Sequence, residues 1–309
     1  MDGILPVYKP SGMTSADVVS KLRYLLQMRR IGHSGTLDPS VDGVLPIALG
    51  AATKAVPALM ALGKTYTGEV LLGVATETED LDGAEIARQR LVAPLDVAAI
   101  DAAMASLTGD IVQIPPMYSA VKVNGRRLYD YARHGEQVER PRRAAHVYAF
   151  TRTAAPVFDE AAGTVSFTFT ATVSKGTYIR TLAVDVGQAL GLPAVMSQLT
   201  RTQSGGFTLA QTLDLRALSR ETAPEAAQAH LRPIEYAYPT VPRVSLTAAQ
   251  WGDVQNGKAL LLSQTAPQLA LMQGATLKAI YHRVGELYRP DVMFLANVWM
   301  NGDTMNESL

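Results

Sequence analysis

From Thr164 to Ser174 the chain alternates without a break: Val165, Phe167, Phe169, Ala171 and Val173 fall on one side, and Ser166, Thr168, Thr170, Thr172 and Ser174 on the other. Side chains of an extended chain point to opposite faces with a period of two, so this stretch is a strand with one face in a core. A slip of one residue would exchange the faces. The register is therefore specified, and the apolar face demands a second layer. Residues 65–75 also alternate, with Tyr66, Val70, Leu72 and Val74 sharing a face, and residues 44–49 read as a buried strand. Helical spacing recurs at Val18, Val19, Leu22, Leu25 and Leu26 behind a capping Thr14 or Ser15. It returns at Val97, Ile100, Met104 and Leu107, stopped by Gly109, and at Ile179, Leu182, Ala183, Val186 and Leu190. Residues 51–62 read as a helix that Pro57 kinks or starts late.

The 309 residues suggest two domains, and 48% apolar residues allow a proper core. Residues 220–242, rich in Ala and Pro, read as a connector. Beyond it lies a small β-rich unit, with a short helix around Gln250 and Trp251 and strands expected near 268–272, 276–283, 286–289 and 291–297. No apolar run reaches the roughly 18 residues of a membrane span, and Met1–Pro6 lacks the pattern of a leader, so a cytoplasmic location is expected. The absence of cysteine excludes disulfide and thiolate chemistry. The histidines His33, His134, His146, His230 and His282 are too scattered to suggest a metal site, and no cofactor is implied.

Charge is balanced, 28 Lys and Arg against 28 Asp and Glu, where nucleic-acid-binding domains are often strongly basic. The distribution is uneven. Lys21, Arg23, Arg29 and Arg30 lie between Asp17 and Asp38 with no acid among them. Residues 122–146 carry Lys122, Arg126, Arg127, Arg133, Arg140, Arg142 and Arg143 against Asp130, Glu136 and Glu139, in a stretch from Pro115 that looks irregular and suits a mobile arm. The acids gather at Glu77, Glu79, Asp80, Asp82 and Glu85, expected to face away from a polyanion.

One carboxylate, Asp38, stands in the Gly- and Pro-rich loop Gly32-His33-Ser34-Gly35-Thr36-Leu37-Asp38-Pro39, which runs on to Gly43-Val44-Leu45-Pro46. The residue before a proline is biased to extended backbone and glycine tolerates unusual dihedrals, so Asp38 sits in a fixed turn beside a strand. This loop resembles the signature of the TruB family of tRNA pseudouridine synthases. Similar segments follow in family order: Gly63-Lys64-Thr65-Tyr66, Thr76-Glu77-Thr78-Glu79-Asp80 with Asp82-Gly83, Pro115-Pro116-Met117-Tyr118-Ser119-Ala120-Val121-Lys122, and Lys175-Gly176-Thr177-Tyr178-Ile179-Arg180-Thr181-Leu182. Together they cover residues 3 to 207.

The resemblance implies an α+β fold: a pseudouridine synthase catalytic domain over residues 1–235, with a mixed or antiparallel sheet flanked by helices and an RNA-gripping thumb at about 122–146. A PUA-like RNA-binding module would occupy 240–309. It implies conversion of uridine 55 in the TΨC loop of tRNA to pseudouridine, by a monomer that needs no guide RNA. Asp38 would be the nucleophile, with Arg180 as its partner; Tyr66, also catalytic, would cover one face of the base and could act in proton transfer, Tyr178 and Leu199 would wall the pocket, and His33 would fill the space the flipped base leaves. Lys9 would serve as a structural or phosphate contact, whereas Tyr8 replaces the acidic or amide residue usual there. Arg126, Arg127, Arg142 and Arg143 would contact RNA. Period-two continuation from Val173 would place Tyr178 and Arg180 on the polar face of the strand, and the helical spacing that follows puts Arg180 near a helix N-terminus. Two other motifs fail: Gly63-Lys64-Thr65 lacks the glycine a phosphate loop needs at Ala58, and Ser119 to Lys122 lacks the companions of a serine acylase. A non-catalytic RNA-binding protein that helps tRNA fold is the alternative, separated from the enzyme only by the chemistry at Asp38.

Overall fold

The computed structural model describes residues 1–297. It contains two compact units, one of residues 1–39, 44–62 and 205 onward, the other of residues 40–43 and 63–204.

In the first unit the strand Gly3–Lys9 runs parallel to Leu213–Asp214. The helix Ser15–Leu26 follows, and Thr14 and Asp17 cap it reciprocally: Asp17 N–H donates to Thr14 Oγ1 at 3.1 Å, and Thr14 N–H to Asp17 Oδ2 at 2.9 Å. Its apolar stripe, Val18, Val19 and Leu22, packs in one cluster with Leu5, Val7, Leu45, Ile47 and Leu49. The strand Ile31–His33 pairs antiparallel with the Asp42–Leu49 strand, Ile31 opposite Leu49 and His33 opposite Ile47. The expected helix at 51–62 is a 3-10 turn, Gly50–Ala55, followed by an α-helix Val56–Ala61. Pro57 stands in its first turn, where a missing N–H costs nothing.

Residues 220–242 are not a connector. They form the helix Ala223–His230 and the 3-10 turn Ile234–Ala237, and bury Ala227, Leu231, Ile234 and Ala237 in the unit's core. Small alanines let this layer approach closely, so the composition that resembled a linker is a packing surface. The C-terminal part is a five-stranded sheet in the order Arg243–Ser245, Gln268–Gln273, Thr276–Val284, Leu287–Met293, Leu260–Leu261, with the helix Ala248–Gln255, and fits a PUA-like module. The strands expected at 286–289 and 291–297 are one strand, Leu287–Met293. Pro290 interrupted the pattern, but it pairs with Tyr281 where the register shifts, a place that tolerates a residue without N–H.

The second unit is built on a mixed sheet. In order it comprises Asp42 and Gly43, which pair parallel to Thr200 and Arg201, then the strands Ala194–Ser204, Lys64–Leu72, Thr164–Val173, Arg143–Arg152 and Gly109–Gln113, all antiparallel. The Thr164–Val173 strand buries Val165, Phe167, Phe169, Ala171 and Val173, as its alternation demands. Helices Val97–Ser106 and Ile179–Leu190 pack on the Arg143–Arg152 and Ala194–Ser204 strands respectively. Gly43 has φ +119°, and a Cβ there would run into the Arg201 backbone. The glycine of the loop motif is thus required by a strand neighbour.

Strand alternation does not continue to Arg180. It ends at Val173, the chain turns with Gly176 at φ +84°, and Tyr178 becomes the N-cap of the next helix, so Arg180 lies buried instead of on a polar face. Nor is the stretch from Pro115 to His146 irregular throughout: 115–121 and 136–142 lack regular structure, but a hairpin and a short helix lie between them. Lys122–Val123 and Arg126–Arg127 form a hairpin around Asn124 and Gly125, both at positive φ, and lead into the helix Leu128–Arg133, with Val121, Leu128 and Tyr131 buried. Asn-Gly is the favoured two-residue hairpin turn.

Candidate active site

Asp38 lies in the loop that joins the Ile31–His33 and Asp42–Leu49 strands, and backbone contacts hold it on both sides. Ser34 N–H donates to Pro46 O at 3.0 Å. The residue before Asp38, Leu37, is buried, and its N–H donates to Ser15 Oγ at 3.0 Å. The residue after it, Pro39, accepts at its carbonyl from Gly12 N–H at 2.8 Å and from Lys9 Nζ at 3.2 Å. Lys9 is 0% exposed and also donates to Pro10 O at 3.0 Å, so its ammonium is a strut under the loop. Asp38 itself is half-buried, as is His33 at the end of its strand. A carboxylate flanked by two fixed peptides is oriented before any ligand arrives.

In the second unit Tyr66 lies on the Lys64–Leu72 strand between Ala171 and Arg201, almost wholly buried. The next pair along the same face is Gly68 with Phe169 and Leu199. A Cβ on Gly68 would stand 2.8 Å from Phe169 Cζ and 3.0 Å from Leu199 Cδ1, so both side chains close over the glycine. Tyr66 and Leu199 are thereby brought to neighbouring positions of one sheet face. Lys64, on that face too, has its ammonium pKa lowered to about 8, chiefly by burial and further by the cations Arg201 and Lys175.

Arg180, 6% exposed, is the second residue of its helix. Its Nη1 donates to Thr78 O at 2.8 Å and lies 3.4 Å from Asp80 Oδ2; its Nη2 donates to Tyr118 O at 2.9 Å. Asp80 is buried and accepts in turn from Thr78 Oγ1 and, at 3.1 Å, from Asp82 N–H. Within the acidic stretch, Asp80 is thus a carboxylate beside Arg180. Glu79, in left-handed backbone at φ 65°, accepts from Thr181 Oγ1 at 2.7 Å. Burial pushes its carboxyl pKa up, against the Thr181 hydrogen bond and the cations Arg180 and Arg140. Sequence reasoning missed Asp80, Thr78 and Tyr118 as partners of Arg180. The alternation of Thr and acid at 76–80 was the available signal, since small hydroxyls beside acids are suited to loops that fold on themselves.

The four arginines expected to contact RNA divide. Arg126 makes a two-pronged ion pair with Glu136, at 2.9 and 3.2 Å, and lies 4.3 Å over the Tyr131 ring; Arg127 lies over Tyr129. Arg142 and Arg143 are exposed, and with Lys122 and Arg140 they line an open groove of about 550 Å³ that holds one acid, Glu139. Of the earlier basic run, Arg23 donates to Ile31 O and Arg30 to Thr53 Oγ1. Among the described residues, no helix is long and apolar enough to cross a membrane, and no group of three or more His, Asp or Glu side chains is placed to hold a metal.

Residues 23–179 match the family model of the TruB family pseudouridylate synthase N-terminal domain, and residues 180–238 that of the tRNA pseudouridylate synthase B C-terminal domain. The chain is 57% identical to tRNA pseudouridine synthase B of Lacticaseibacillus paracasei over 297 residues, covering 96% of this chain and 99% of that protein. It is 53% identical to the protein of the same name from Lactiplantibacillus plantarum, covering 96% and 100%. Among solved structures it resembles a chain of a Cbf5-Nop10-Gar1 complex, with 27% identity, a TM-score of 0.70 and coverage of 94% of this chain and 84% of that one.

The Asp80–Arg180 pair yields a stability prediction. Replacing Asp80 by Asn keeps the shape and leaves a buried guanidinium with a neutral neighbour, so the protein should lose on the order of a few kcal/mol in urea unfolding. A change within about 0.5 kcal/mol, the size expected of a surface substitution, would show that this contact carries no charge compensation.

Proposed function

The chain belongs to the TruB family of pseudouridylate synthases, and from that membership we propose that it isomerises uridine 55 in the TΨC loop of tRNA to pseudouridine, with no guide RNA and no cofactor, as a cytoplasmic monomer. The observation that carries the mechanism is the loop that fixes Leu37 and Pro39 on either side of a half-buried Asp38.

The reaction breaks the N1–C1′ bond, turns the uracil and rejoins it through C5. The target base is stacked in a folded loop and must be extruded at a cost of a few kcal/mol. Stacking on an aromatic recovers roughly 1–3 kcal/mol, which is the part assigned to Tyr66, with Tyr178 and Leu199 as walls and His33 in the vacated space. Asp38 attacks the extruded nucleoside. Arg180 supplies the opposing charge that keeps a carboxylate ionised and aimed, and its own cluster in the second unit leaves it little freedom to turn. Lys9 supports the Asp38 loop. In the thumb, Arg142 and Arg143 with Lys122 and Arg140 meet the phosphates, whereas Arg126 is engaged by Glu136 and Tyr131 and Arg127 by Tyr129. The five-stranded sheet from Arg243 to Met293 is the part assigned to a PUA-like RNA-binding domain.

Asp38→Asn removes the nucleophile and keeps the shape. tRNA binding should survive while pseudouridine formation vanishes in a single-turnover assay; formation near the parent rate would rule out the nucleophile role. For the thumb, each neutralised phosphate contributes about 0.7–0.9 to the slope of log affinity against log salt. Changing Arg142 and Arg143 together to Gln should therefore flatten that slope by roughly 1.4–1.8, while Arg126→Gln should leave it nearly unchanged. Equal slopes for the double variant and the parent would place the RNA elsewhere.

A further inference from the structure

Gln113 ends the Gly109–Gln113 strand, immediately before the thumb, and is 2% exposed. Tyr178 N–H donates to its Oε1 at 2.9 Å, and its Nε2 donates to Tyr178 O at 3.1 Å. Both polar groups of one carboxamide thus close on both polar groups of one residue, a two-point clasp that sets orientation as well as distance. Tyr178 is the N-cap of the Ile179–Leu190 helix, its side chain makes no capping hydrogen bond, and its carbonyl also accepts Leu182 N–H at 3.0 Å as the helix begins. The clasp therefore holds, from outside, the residue that sets the rotation of the first turn. Five residues beyond Gln113, Tyr118 O receives Arg180 Nη2, and between them Pro115 O receives Arg140 Nη1 at 3.1 Å. The segment from Gln113 to Tyr118 is pinned at both ends to the first turn that carries Tyr178 and Arg180.

We infer that Gln113 is a positioning residue for the isomerisation: its carboxamide fixes the first turn of the Ile179–Leu190 helix against the root of the thumb, and so fixes the Tyr178 ring and the Arg180 guanidinium. The inference rests on the reading of Tyr178 and Arg180 as active-site residues. A buried amide whose only task was to satisfy itself could bond any neighbour. This one grips the peptide of one proposed pocket residue, two positions before the proposed charge partner of the nucleophile.

The test uses the full chain and an unmodified tRNA transcript, with single-turnover rate and dissociation constant measured separately. Gln113→Met keeps the length of the side chain and removes the clasp. The rate should fall roughly 10²-fold, the usual consequence of a small misplacement of reacting groups, with the dissociation constant within about threefold of the parent. A rate near the parent's, or a rate that falls only in step with lost binding, overturns the inference.

Gln113→Glu supplies a signature that mere packing would not give. Protonated, the introduced carboxyl donates to Tyr178 O and accepts from Tyr178 N–H, restoring the clasp; ionised, it turns an oxygen towards that carbonyl. Burial and Asp185, which already bonds to Gln113, both favour the protonated form, while Arg143 opposite on the neighbouring strand and Arg180 favour the ionised form. Burial at a site that is 2% exposed raises a carboxyl above its ordinary value of about 4.3. The rate of this variant relative to the parent at the same pH should therefore rise at least about fivefold between pH of about 8 and about 5, as the carboxyl gains its proton. A ratio independent of pH overturns the inference even where Gln113→Met does not fold. Arg180→Lys, run alongside, separates the two levels. An active Arg180→Lys means that the active-site reading itself is wrong; an inactive one beside an unaffected Gln113→Met means that only the clasp fails.

Discussion

A guanidinium that is 6% exposed must have its charge and its donors met inside the protein, because the effective cost of taking such an ion from water is several kcal/mol. Arg180 draws part of that compensation from separate pieces of chain, among them the Asp80 carboxylate, the Thr78 carbonyl and the Tyr118 carbonyl. Planar geometry with several fixed donors makes arginine fit for such a hub where lysine would not be. The Thr76–Gly83 loop, the segment entering the thumb and the first turn of the Ile179–Leu190 helix therefore order one another. Its position at a helix N-terminus, unfavourable for a cation against the helix dipole, is tolerated because the neighbouring carboxylate and carbonyls outweigh the dipole.

Asp38 is controlled by different means. Its fixing comes from peptides on either side and from Lys9, whose ammonium donates to two carbonyls beneath the loop. Fixing the backbone on both sides of a half-buried residue suits a group that must meet a reacting atom, since orientation is settled beforehand. A protein of zero net charge can still bind a polyanion if its cations are segregated and unspent. Lys122, Arg142 and Arg143, which line one open groove, meet that description better than Arg126, which Glu136 and Tyr131 already occupy.

The elements visible in the sequence were those whose causes are local. Thr14 and Asp17 announce a capped helix, the Thr164–Val173 alternation announces a strand, and Pro57 announces a late start. Asn124-Gly125 carried an equally local hairpin signal, passed over because the surrounding arginines suggested an arm. Other features depend on contacts far apart in the chain. Asp80 meets Arg180 a hundred positions away, Gln113 meets Tyr178, and the alanines of 223–230 find a buried layer; no periodicity encodes such meetings. The family motifs flagged the Asp38, Tyr66 and Arg180 segments, but the reason for Gly43 needed the Arg201 backbone beside it.

The central claim is that this chain alone performs the chemistry on tRNA. Nucleotide-resolution pseudouridine mapping of an unmodified tRNA transcript, incubated with the purified protein and no other RNA, tests it most directly. The account predicts a single new pseudouridine, at position 55. No pseudouridine, a different position, or formation only when a guide RNA is added would contradict it.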